Sequence, residues 1–86
     1  MTLSDNERKA IIEYRIKQAF ESAEVAEFLY KSQNYATSIN RIYYSVFYSL
    51  LALAIQFGFK TSKHPQLHGW FNKNFIATGR IFKRYL

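Results

Sequence analysis

The pattern of apolar and polar positions predicts three helices. Over residues 5–31, Ile12, Ile16, Ala19, Ala23, Ala26 and Tyr30 recur at alternating steps of four and three, forming one apolar stripe. Ser4-Asp5-Asn6-Glu7 ahead of it has the form of a capping box, with Ser4 as N-cap and Glu7 three residues later. Ser32-Gln33-Asn34 breaks the pattern. So short a connection makes the next helix, over residues 35–57, an antiparallel neighbour. Gly58 stands where a helix C-terminus wants a left-handed residue. Pro65 suits the first turn of a third helix, over residues 65–77, with Gly79 as its cap. The expected fold class is all-α: one domain, residues 1–86, an antiparallel up-down helical bundle.

The second helix has the most to say. At about 100° per residue, Ala36, Ile39, Tyr43, Val46, Leu50, Ala54 and Phe57 share one face. Thr37, Arg41, Tyr44, Ser45, Tyr48, Ala52 and Ile55 lie opposite, and Leu51 adds to the greasy residues there. A helix apolar nearly all round is buried on several sides. The expectation is bundle neighbours on the first face and a second copy on the other. The predicted homodimer interface is therefore Arg41, Tyr44, Tyr48, Leu51 and Ile55. The 18 uncharged residues from Ile42 to Phe59 approach the length of a membrane span. Their three Tyr, two Ser, Gln56 and Gly58 cluster by face, as in a bundle helix, so the expectation is no membrane.

Charge changes the picture next. All six acids precede Phe28. With Arg8, Lys9, Arg15 and Lys17 they give residues 1–27 a charge of −2. From Phe28 onward there are eight bases and no acid, so the chain carries +6. A basic, aromatic-rich half suits nucleic acid or an acidic partner. There is no cysteine, which excludes disulfides and cysteine metal sites. The polar N-terminus lacks the apolar core of a signal peptide, and a cytoplasmic location is expected. No Gly-rich phosphate loop or Ser/His/Asp arrangement is present, and no cofactor is expected.

Arg41-Ile42-Tyr43-Tyr44-Ser45-Val46-Phe47-Tyr48, with the Leu-rich run after it, resembles the central helix of HEPN domains (higher eukaryote and prokaryote nucleotide-binding). Lys63-His64 and the run from Trp70-Phe71 through Phe75 to Gly79-Arg80-Ile81 resemble a second pattern of the small stand-alone bacterial HEPN proteins. The likeness covers about Glu21 to Ile81. It implies a HEPN-like bundle that is incomplete at Leu86, because such proteins carry a further long helix after this stretch.

In nuclease members of that family, an Arg and a His on this helix meet their copies across a dimer. There they support metal-independent RNA cleavage. Arg stabilises charge on the phosphate with a fixed fork of donors. His titrates near neutrality and can shuttle the proton. Arg41 matches the arginine, but Tyr48 stands at the histidine position. Unperturbed Tyr titrates near 10 and is a poor general base at neutral pH. The resemblance implies a dimeric RNA- or nucleotide-binding module rather than an efficient nuclease. Its candidate ligand-binding residues are Arg41, Tyr44, Tyr48, Lys63 and His64. Arg41 and Tyr48 would be the catalytic pair if the chain cleaves RNA. A metal-independent, toxin-like endoribonuclease and a purely structural dimerisation module are the alternatives. Family resemblance also implies a nucleotidyltransferase-type partner protein. His64 and His68 share a helical face, but every carboxylate lies in the first helix, so no metal site is expected.

Overall fold

The computed structural model describes residues 4–61 and 63–78. The fold is all-α, with α1 over Asp5–Lys31, α2 over Tyr35–Gln56 and α3 over His64–Phe71. No strand occurs among the described residues. The cap of the third helix expected at Gly79, and the end of the bundle at Leu86, lie outside them.

Local chemistry sets the helix ends. The Glu7 N–H donates to Ser4 Oγ at 3.1 Å, and the Ser4 N–H donates to Glu7 Oε1 at 3.2 Å, which closes the capping box. These bonds, the Ser4 side chain first, hold the Glu7 carboxyl below the usual glutamate range. α2 ends in a Schellman motif. The Phe59 N–H reaches Ala54 O at 2.8 Å, the Gly58 N–H reaches Ile55 O at 3.1 Å, and Gly58 sits at φ 82°. α1 ends the same way, through Asn34 N–H to Leu29 O at 2.8 Å and Gln33 N–H to Tyr30 O at 3.0 Å. Here the left-handed residue is Gln33, at φ 65°. A side chain with Cβ is strained there by about 1–2 kcal/mol.

The third helix departs from its expected form. α3 is only eight residues long, and the chain continues as a π turn over Asn72–Ile76. The Ala77 N–H closes that turn onto Asn72 O at 2.8 Å. The wider turn keeps Phe75 beside Phe57, Trp70 and Phe71, with ring centroids 5.4–5.5 Å away.

α1 and α2 pack antiparallel along a seam of small side chains. Ala19, Ser22 and Ala26 of α1 are buried, as are Ser38 and Ala52 of α2. Ser38 Oγ donates to Ala26 O at 2.7 Å and Ser45 Oγ donates to Ala19 O at 2.9 Å. α3 packs against α2. There Leu67 (0% exposed) joins Phe47, Leu51 and Ala54 in the main cluster, with Phe59 and Trp70 packed against it.

The structure corrects two expectations about faces. Leu51 and Ile55, expected between two copies, are buried within the chain itself, and Leu51 belongs to the cluster around Leu67. Within the single chain they are buried residues with little surface to offer a second copy. The face of α2 expected to meet bundle neighbours is instead largely open, with Ile39 66% and Val46 54% exposed. An apolar groove of about 530 Å³ runs along this side of the α1–α2 pair, between Ile12, Ile16 and Phe20 on one wall and Leu53 on the other. No described element covers it. The reason is the seam. Ser38 and Ser45 turn toward α1 to reach carbonyls, and that rotation carries Ile39, Ile42 and Val46 outward.

Two stability outcomes follow. Leu67→Ala should destabilise the chain by about 2–5 kcal/mol, measured by urea unfolding, because it empties a fully enclosed site. Gln33→Gly should stabilise it by up to about 1 kcal/mol by relieving the left-handed strain. The capping box adds a pH dependence. Its folded carboxyl is depressed, so its contribution is present above the ordinary glutamate range and lost as pH falls through the folded value. Helicity followed by circular dichroism should show a weaker acid-range dependence in Glu7→Gln.

Candidate functional site

Spacing on α2 places Arg41, Tyr44 and Tyr48 along one flank, at steps of three and four. The Arg41 guanidinium carbon lies 4.9 Å from the centre of the Tyr44 ring. Such a cation–π contact is worth about 0.5–1 kcal/mol near a surface. Its other partner is neutral: Arg41 Nη2 donates to Asn40 Oδ1 across a long 3.5 Å. The Tyr44 and Tyr48 rings follow one another with centroids 6.0 Å apart and planes tilted by 40°. All three side chains are half-buried.

α1 adds residues that the sequence pattern did not single out. The Arg15 guanidinium carbon sits 6.0 Å from the Tyr48 ring centre and 5.6 Å from that of Tyr14. Arg15 Nη1 donates to Gln18 Oε1 at 2.8 Å. Gln18, Glu21, Ser22 and Val25 of α1 face Arg41 and Tyr48 across a hollow of about 260 Å³. Glu21 brings a carboxylate to this hollow, and its Oε1 lies 3.9 Å from Lys17 Nζ. The signal for Arg15 lay in the seam. Once Ser45 meets Ala19, the antiparallel pairing brings the turn before Ala19 alongside Tyr48.

His64 has a different setting. It opens α3 and stacks on Phe47, with centroids 3.7 Å apart and planes within 17°. The Tyr44 ring meets it edge-on at 6.0 Å. Its Nδ1 shares a hydrogen bond of 2.5 Å with the Tyr43 hydroxyl, the tautomer deciding which group donates. These contacts make His64 the link between α3 and α2, one ring away from Arg41. Lys63, expected beside it as a ligand contact, is exposed at the N-cap position of α3 and makes no side-chain cap bond. His68 reaches only the edge of Tyr43, at 6.4 Å. Among the described residues no three His, Cys, Asp or Glu side chains converge as metal ligands. No described helix is long and apolar enough to cross a membrane.

The arrangement offers a shallow polar bay with a guanidinium on each side of a tyrosine pair. A guanidinium fork can take a phosphate and a tyrosine ring can stack on a base, two of the three parts of a nucleotide.

Known proteins give this geometry a context. A UPF0332 protein of Thermotoga maritima is 38% identical over 78 residues, which cover 91% of this chain and 59% of that protein. A protein of Methanocaldococcus jannaschii named as a putative toxin is 37% identical over 73 residues, 85% of this chain and 50% of its own length. The chain thus spans between half and three-fifths of the curated relatives it matches. No solved structure matches it. The sequence profile of the HEPN domain matches residues 12–85, nearly the whole chain, and the chain belongs to the HEPN domain family.

Proposed function

We propose that the chain binds RNA or nucleotide phosphate through the Arg41–Tyr44–Tyr48 face and does not cleave RNA efficiently. The observation that carries this reading is the Arg41 guanidinium, held over Tyr44 with no carboxylate paired to it among the described residues. It keeps four or so of its five N–H donors for an anion. The tyrosine pair beside it gives a base a surface to stack on. Two copies meeting at this face, as the family likeness suggests, would bring two such sets together in one groove. A nucleotidyltransferase-type partner protein remains part of the same proposal.

Cleavage asks for more than binding. The 2′-hydroxyl must lose a proton as it attacks the phosphate, and the leaving oxygen must gain one. Tyr48 occupies the family's histidine position, and a phenol lacks the imidazole's second nitrogen for passing a proton on. Losing a proton shuttle lowers rate by about 10²–10⁴-fold. The relative named as a putative toxin favours a second reading, in which residual metal-independent cleavage depends on Arg41.

Two measurements separate these readings. A short single-stranded RNA should bind the wild-type chain at low salt. Affinity should fall about 2.5-fold per phosphate contact over a fourfold rise in salt. Arg41→Ala should weaken binding about tenfold and flatten that dependence. Binding that ignores both salt and Arg41 would instead favour a structural dimerisation role. In a cleavage assay with chelator present, wild type should show little turnover and Tyr48→His should show more. Efficient wild-type cleavage that vanishes in Arg41→Ala would overturn the non-enzyme reading.

A further inference from the structure

We propose that Arg15 of α1 is a second phosphate contact on this face, so that one protomer grips two phosphate groups of a nucleotide chain across the Tyr44–Tyr48 pair. This rests on the reading of the Arg41 face as a phosphate site. Arg41 lies over Tyr44 and Arg15 lies over Tyr48, so the two guanidinium groups flank the ring pair at its two ends. They come from different helices, and α1–α2 packing alone brings them together.

Charge pairing along α1 is consistent with the assignment. Arg8 lies 3.8 Å from Asp5, Lys17 lies 3.9 Å from Glu21, and Lys31 lies 2.9 Å from Glu27. Each of those cations has an acid within reach. Among the described residues Arg15 and Arg41 have none, as is also true of Lys9, Lys60, Lys63 and Lys73, but the two arginines alone of these lie against tyrosine rings, and their hydrogen-bond partners are the neutral side chains of Gln18 and Asn40. Stacking against Tyr14 and Tyr48 limits the rotamers of Arg15 before any ligand arrives, so less entropy is lost on binding. Glu21 lines the hollow between the two helices and repels an anion at that wall. The phosphates therefore sit at the guanidinium ends, not deep in the hollow.

The shared ligand chemistry is a nucleotide bearing two phosphate groups, which a single RNA strand or a nucleoside diphosphate could supply. A labelled single-stranded RNA of about ten nucleotides, competed with ADP or AMP, distinguishes the sources. Arg15→Gln should weaken RNA binding about tenfold and make the salt slope shallower by about 0.7. Its thermal unfolding should remain cooperative. Arg15→Lys should restore the slope but not the full affinity, because it keeps the charge without the fork. Glu21→Gln should tighten binding. If ADP competes better than AMP, and Arg15→Gln removes that advantage, a free nucleotide is a ligand. If neither competes while RNA binding still depends on Arg15, the ligand is the strand. RNA affinity and slope unchanged in both Arg15 variants, with Arg41→Ala still impaired, would overturn the Arg15 assignment and leave the Arg41 reading standing. No binding of RNA or ADP to the wild type would overturn both.

Discussion

Two serine hydroxyls hold α1 and α2 in register, and the rest of the structure depends on them. Ser38 and Ser45 are seven residues apart on α2, and the carbonyls they reach, Ala26 and Ala19, are seven apart on α1. Seven residues are about two turns, so both bonds form on the same side of the seam, about 10 Å from each other. Small buried neighbours let the two backbones approach closely enough for a serine side chain to span the gap. A slide of one turn would break both bonds at once, and a buried Ser38 hydroxyl left without a partner would cost about 1–3 kcal/mol.

That register explains the two faces of the molecule. On one flank it sets Arg15 beside Tyr48, and Ser22 and Val25 across a hollow from Arg41. On the other it leaves Ile16 and Phe20 along an open groove, and Ile42 and Val46 along a second hollow beside it. α3 then docks on α2 through Leu67 and the His64–Phe47 stack. His64 therefore orders the rings behind Tyr44, and Tyr44 in turn carries Arg41. The polar face is backed by aromatic packing.

Features governed by neighbours along the chain are legible in the sequence. The all-α fold follows from apolar periodicity. The Ser4–Glu7 box and the left-handed Gly58 follow from residues within one turn of a helix end. Membership of the HEPN family follows from the Arg41–Tyr48 run and its order relative to the later stretch. What depends on a partner across space is not legible there. Leu51 and Ile55 look the same on a helical projection whether they meet another copy or their own chain, and both are buried within the single chain. Ser38 and Ser45 read as polar interruptions, yet their hydroxyls select the buried side of α2. Arg15 reads as one more charge on an amphipathic helix, because its value depends on which α2 turn lies opposite. Gln33 in a left-handed conformation has no sequence signal, since its neighbours Ser32 and Asn34 are the usual turn formers.

The central claim is that this register makes one phosphate-binding face from two helices. Side-chain Nε–Hε resonances of arginine in the isotopically labelled chain, assigned by single substitutions and followed during titration with single-stranded RNA, test it most directly. The account predicts that the Arg15 and Arg41 signals shift together and saturate at the same RNA concentration, while that of Arg8, held beside Asp5, stays in place. Movement of Arg41 alone, or equal small shifts at all three arginines, would contradict it.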